Sequence, residues 1–247
     1  MKHVTADANK KQYLISACIL LTGFIISGCI LWWGMVKKNG TEDGIADACT
    51  VNFFDSGGKL IASQSVASGK SVIPPETASD GGIFKGWSAE LYSVSADTDA
   101  YPVFEEIGDE MNAVYAGTVF ADTSKELHTR VMLGGNVCCS AFTIELAYDN
   151  SLLSVCACEP ALEDITVQND EQNGVLILQL AADSILSEPT ELVCITFQCK
   201  KSGSYKTELD LATREIFTLQ NGEKIYTDST AHPSFIYLFE NKEREKS

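Results

Sequence analysis

Residues 141–149, Ala141-Phe142-Thr143-Ile144-Glu145-Leu146-Ala147-Tyr148-Asp149, decide the fold of the larger part of this chain. Phe142, Ile144, Leu146 and Tyr148 alternate with Thr143, Glu145 and Ala147. Successive side chains of a strand point to opposite faces, so this pattern predicts a strand with one face on a core and one in water. Leu153 and Val155 repeat the alternation downstream. VLILQLAA at 175–182 and LVCITFQC at 192–199 read as further strands, the first apolar enough on both faces to be central. Asn173-Gly174, Lys201-Ser202-Gly203 and Asn221-Gly222 supply turns between them. Strands at this spacing without amphipathic helices between them predict a two-sheet sandwich over residues 112–240. Its outward polar positions Thr143, Glu145, Gln179 and Asp183 are the candidate partner-binding residues.

Upstream lies a smaller unit. TVNFF at 50–54 is strand-like, Ser56-Gly57-Gly58-Lys59 is a turn, and residues 60–66 alternate as a returning strand. Pro74-Pro75 interrupts the pattern before IFKGW at 83–87, and a last strand fits Ala100 to Phe104. So small a fold has a core limited by its surface-to-volume ratio, and it needs Phe84 and Trp87 inside. Trp87 as an exposed sugar platform is the competing reading. Few contacts are expected to cross near Gly108, so residues 112–240 should fold alone.

The first residues have another character. Tyr13 to Trp33 is 21 residues without a charge, long enough to cross the hydrocarbon core as a helix. Lys2, Lys10 and Lys11 precede it, which favours an N-terminus inside and the rest outside. The expected order is a cytoplasmic segment (1–12), a signal anchor (13–33), a linker (34–48), the small module (49–107), the sandwich (112–240) and a charged tail (241–247). Ile26-Ser27-Gly28-Cys29 also has the form of a lipobox, in which Cys29 would be lipidated. The apolar residues 30–33 that continue past Cys29 favour the uncleaved anchor. Either route predicts a cell-membrane protein with its C-terminal part extracellular.

Residues 39–247 hold 13 Lys and Arg against 33 Asp and Glu, a formal charge of −20. That balance excludes a nucleic-acid binder, which needs a basic footprint. Seven cysteines follow the apolar run, an odd number that cannot all pair within one chain, and none forms the C-x-x-C pair of a structural zinc site. Cys156 and Cys194 read as small apolar fillers in strands. His128 and His232 stand near no recognisable nucleophile and read as exposed strand or loop histidines. Acidic pairs such as Asp109-Glu110 and Asp170-Glu171 are expected by coincidence among so many acids, and no ordered calcium loop is present. No catalytic residue, metal ligand or cofactor is therefore assigned.

Two stretches carry resemblances. V-x-F-x-D-x-x-G at 51–58, Q-x-V-x-x-G at 64–69, the paired prolines and F-x-G-W at 84–87 resemble a single internalin-type B-repeat. That implies a small β-grasp-like module used as a spacer or weak adhesion unit on bacterial surfaces. F-x-I-x-L-x-Y-D at 142–149, L-A-A-D-S at 180–184 and FIYLF at 235–239 resemble a cohesin domain, akin to carbohydrate-binding modules. It implies an all-β, nine-stranded jelly-roll sandwich that grips a dockerin module on an enzyme, largely through one sheet face. Where many dockerin-binding members carry Asn and Asp before the aromatic, this chain has Cys139 and Ala141, which offer a partner no strong hydrogen bonds. Direct binding of a cell-surface glycan is the alternative and would need a row of exposed rings, for which Tyr115, Tyr205, Tyr226 and Tyr237 are the candidates.

Overall fold

The computed structural model describes residues 48–77 and 82–240, which belong to one compact unit. The apolar run at 13–33, the lipobox cysteine and the tail at 241–247 lie outside the described residues. Among the described residues there is no α-helix, and none is long and apolar enough to cross a membrane. The observed architecture is all-β.

The N-terminal module begins with β1 (Ala48–Phe54), whose buried Cys49, Val51 and Phe53 alternate with half-exposed positions. β1 pairs antiparallel with β2 (Leu60–Ala67) through the expected turn and parallel with β4 (Thr98–Ala100). β3 (Ile83–Trp87) pairs with β5 (Pro102–Glu105) in a separate two-stranded sheet. The single last strand expected at Ala100 to Phe104 is thus two strands that part at Tyr101, one for each sheet. Trp87 is 9 % exposed and meets the Phe53 ring edge-on at 4.9 Å, which settles it as a core anchor.

The sandwich follows, with a five-stranded and a seven-stranded sheet. The first has the order β10 (Leu153–Pro160), β13 (Thr190–Cys199), β8 (Glu126–Gly134), β6 (Ala113–Ala116), β16 (Thr230–His232). The second runs β11 (Ile165–Asp170), β12 (Val175–Leu186), β9 (Cys139–Ala147), β14 (Tyr205–Gln220), β17 (Ser234–Phe239), β7 (Val119–Asp122), with the short β15 (Glu223–Tyr226) folded back on β14. Inner residues of both sheets form one core, in which Phe142, Ile144 and Leu146 of β9 face Ile195 and Phe197 of β13.

Twelve strands appear here where nine were expected, and the reason is local. Gly117-Thr118 breaks one strand so that β6 stays in the first sheet while β7 crosses to the second. Pro233, which cannot donate to a ladder, breaks β16 from β17 in the same way. The halves pair twice, β16 with β6 and β17 with β7, both parallel. Counting each broken strand once and setting β15 aside restores the nine. Turn chemistry is as read: Asn221 and Gly222 have φ of 52° and 83°, the left-handed pair that a two-residue hairpin demands. Gly174, at φ 66°, sits where a side chain would run into the Tyr148 carbonyl, and its own carbonyl accepts the Tyr148 N–H at 2.8 Å.

The expectation that few contacts cross near Gly108 does not hold. A second core joins Val51, Phe53, Trp87 and Leu91 of the small module to Phe239 of β17, with Phe120 of β7 and Tyr237 packed against it. Phe120 and Tyr237 stack at 4.6 Å, and Tyr92 stacks on Phe239 at 4.7 Å. The Tyr92 hydroxyl donates to the Tyr205 carbonyl at 2.5 Å, and burial raises its pKa above the tyrosine range.

Candidate interaction face

The outer surface of the seven-stranded sheet is divided by what covers it. On β17 and β7 the outward residues Phe120, Tyr237 and Phe239 lie under the N-terminal module. On β11, β12, β9 and β14 the outward positions mix polar residues, Thr166, Gln168, Gln179, Thr143, Glu145 and Glu215, with small or aliphatic ones such as Ile177 and Ala212, and none of these belongs to the second core. This open half contains the sequence-predicted residues. Thr143 is directly opposite Gln179 on one side and Glu215 on the other, so the three form one cross-sheet row. Thr166 of β11 extends that row beyond Gln179. Glu145 sits in the next outward row, between Ile177 and Ala212. Gln179 and Thr166 are exposed, whereas Thr143 is half-buried between its neighbours.

Local sequence explains these positions. The β9 alternation turns Phe142, Ile144 and Leu146 inward at 2 % exposure or less, which fixes Thr143 and Glu145 outward. β9 ends at Tyr148-Asp149 because the Asp149 carboxylate accepts the Ser151 N–H at 2.8 Å and closes a turn. That hydrogen bonding, led by Ser151, holds Asp149 below the usual carboxylate range. On β14 the register slips between Thr213 and Glu215, leaving Arg214 as the extra residue of a bulge. The bulge turns the Arg214 guanidinium onto Glu145, with Nη2 donating to Oε2 at 2.6 Å. The hydrogen bond from Arg214 lowers the Glu145 pKa.

Some expected residues stand elsewhere. Asp183 belongs to β12, but its side chain lies outside the described residues. Cys139 and Ala141 are buried, at 0 % and 6 % exposure, so they present no polar group on the face. Arg214, Glu215, Thr166 and Gln168 were not singled out from the sequence. The T-V-Q alternation of β11 carried a signal for the last two, while a bulge leaves no pattern that marks Arg214. At the β15 end the same side of β14 carries Leu219 and, opposite Phe217, Tyr226, with Leu219 49 % and Tyr226 63 % exposed.

The four tyrosines proposed as a glycan platform do not form a row. Tyr115 belongs to the five-stranded sheet, Tyr226 to the β15 hairpin, and Tyr237 stacks on Phe120 in the second core. Tyr205 donates its hydroxyl to the Ser202 carbonyl. Cys156 is exposed, so it is no core filler, whereas Cys194 is half-buried. Burial raises the Cys139 thiol pKa to about 11. Among the described residues no three His, Cys, Asp or Glu side chains are grouped to hold a metal ion. His128 is exposed and within 3.0 Å of the Thr196 hydroxyl, as expected. His232 departs from expectation: it is 6 % exposed and flanked by Glu105 and Glu110. Of the acidic pairs, Asp170 accepts hydrogen bonds from Asn173 at the β11–β12 turn.

No protein-family model matches the chain, and no curated protein matches it. Solved structures similar to it include the seventh ScaB type I cohesin from Pseudobacteroides cellulosolvens, 14 % identical with a TM-score of 0.48, over 55 % of this chain and 96 % of that one. A non-cellulosomal cohesin from the hyperthermophilic archaeon Archaeoglobus fulgidus is 15 % identical with a TM-score of 0.45, over 54 % and 94 %. A type I cohesin–dockerin complex of Clostridium thermocellum, OlpC with Doc435, aligns at 13 % identity and a TM-score of 0.46, over 56 % and 100 %.

Proposed function

We propose that this chain is a non-catalytic binding protein of the cell surface that holds a partner protein on the open half of its seven-stranded sheet. The observation that carries the reading is the cross-sheet row of Thr166, Gln179, Thr143 and Glu215 with the Glu145–Arg214 pair beside it, outside the second core that covers β17 and β7 of the same sheet. An antiparallel sheet can leave one face to water, and a partner docking on this one would meet the Thr166–Gln179–Thr143–Glu215 row and the Glu145–Arg214 pair beside it. The sequence resemblance at 142–149 to cohesins names the partner class, a dockerin module borne by an enzyme. The resemblance at 51–87 to an internalin-type B-repeat assigns the N-terminal module a spacer role.

The test is calorimetric titration of the protein with dockerin modules encoded beside its gene. Binding in the wild type and at least a hundredfold loss in Glu145→Lys, about 3 kcal/mol, are expected for a misplaced charge within an interface. Equal affinity of wild type and variant overturns the face. Absence of binding to any such module overturns the partner class.

The tether is part of the same proposal: residues 13–33 anchor the chain in the membrane with the described part outside. Retention of Cys29→Ala in the membrane fraction, with an intact N-terminus, is the expected result. Release of that variant into the medium would establish the lipidated form instead.

A further inference from the structure

His232 joins three parts of the chain that are far apart in sequence. It ends β16 in the sandwich, is 6 % exposed, and has a carboxylate on each ring nitrogen. Nε2 lies 2.7 Å from Glu110 Oε2, in the connector before β6, and Nδ1 lies 3.3 Å from Glu105 Oε1, in β5 of the N-terminal module. Lys85 of β3 completes the group: its Nζ is 3.0 Å from Glu105 Oε2 and donates to the Pro233 carbonyl at 2.8 Å. Tyr115 stands opposite His232 in the parallel β6–β16 ladder, and burial raises its pKa.

A carboxylate can only accept, and a neutral imidazole has one donor and one acceptor. Both carboxylates keep contact with water, their side chains being 42 % and 34 % exposed, and the hydrogen bond from Lys85 holds Glu105 in its ionised form below the usual glutamate range. The ring satisfies both partners only as the imidazolium. With one proton gone, a nitrogen lone pair faces a carboxylate oxygen inside a nearly buried site.

We infer that His232 is a protonation-dependent clasp that fastens the N-terminal module to the sandwich. The sign follows from the geometry. The clasp is closed while the ring is charged and is released as rising pH removes its proton. At the acid limit the depressed Glu105 contributes the opposite edge: its share is present above the unfolded glutamate pKa and is lost as pH falls through the folded value.

The experiment uses the full-length protein in mild detergent, with ¹⁵N-labelled histidine and amide hydrogen exchange corrected for intrinsic rates. Below the ring's titration, Nδ1 and Nε2 of His232 should both show protonated-nitrogen shifts. Amides of β3 and β5 should lose about tenfold in protection as the ring deprotonates, while β9 in the sandwich core stays unchanged. In His232→Gln the same amides should vary less than about twofold over that range. In Glu110→Gln, which keeps an acceptor but removes a charge, the wild-type change should move to lower pH. PH-independent exchange at β3 and β5 in the wild type overturns the clasp, as does an unaltered pH dependence in either variant.

Discussion

The two halves of the outer face of the seven-stranded sheet are built from the same backbone ladder and end in opposite fates. On β17 and β7, Phe120, Tyr237 and Phe239 face a second core, with Phe239 1 % exposed. On β9 and β12, Thr143, Glu145 and Gln179 face outward beyond that second core, with Arg214 laid against Glu145. What differs is the side chain that the pleat sends outward. Aromatic rings bury about 150–250 Å² each, so a handful of them recruits a whole module, whereas short polar and paired charged groups leave the surface to water or to a partner. A sheet face in this protein is thus a choice made residue by residue, not a property of the sheet.

The strongest way to break the comparison is to attack what both halves share. Ile144→Asp places an unpaired charge in the sandwich core beneath the open half, at a position with 0 % exposure. A loss of more than about 4 kcal/mol is expected, enough to abolish the cooperative thermal transition seen by circular dichroism. Next comes the covered half alone. Phe239→Ala should cost about 3–5 kcal/mol in urea unfolding, as truncations of buried phenylalanine do, and should raise amide exchange in the N-terminal module more than in β9.

A smaller effect is expected at the rim of the seam. Lys85→Met removes the cation that lowers the Glu105 pKa, so the acid-side loss of stability should begin at higher pH than in the wild type. Its size at neutral pH should be below about 1 kcal/mol because the Glu105 side chain, 42 % exposed, keeps its contact with water. The smallest belongs to the open half: Glu145→Gln should shift stability by less than about 0.5 kcal/mol despite losing the ionic contact to Arg214. A larger change would mean that Glu145 supports the fold, and the contrast between the halves would lose its sharpest example.

Much of the sandwich is legible in the sequence. The alternation at 142–148 fixed which way Thr143 and Glu145 point, and Asn221-Gly222 marked its hairpin, because both signals are local. The seam was not, because Lys85 and Pro233 are separated by 148 positions and Glu105 and His232 by 127, and no periodicity links them. One sign was present and unread. SFIYLF at 234–239 is apolar at successive positions, Phe235 through Phe239, as a strand must be when both of its faces are covered. The face residue that sequence reading missed, Arg214, owes its aim to a register slip, which depends on the partner strand and not on the residue itself.

β14 is the longest strand of the sandwich. Its sixteen residues pair with β17 over Tyr205–Leu209, with β9 over Asp210–Phe217, and with β15 beyond. One unbroken strand therefore spans both halves of the face. A pull entering at Ala48 reaches β1, which is gripped by β2 on one edge and by β4, running parallel, on the other, so its ladder is loaded along the strand axis and many bonds resist together. From there the load passes through the aromatic seam into β17 and across β14 to the rows of Thr143 and Glu145. At the seam that line of force passes through stacked rings and the charges around His232 and not through a strand ladder.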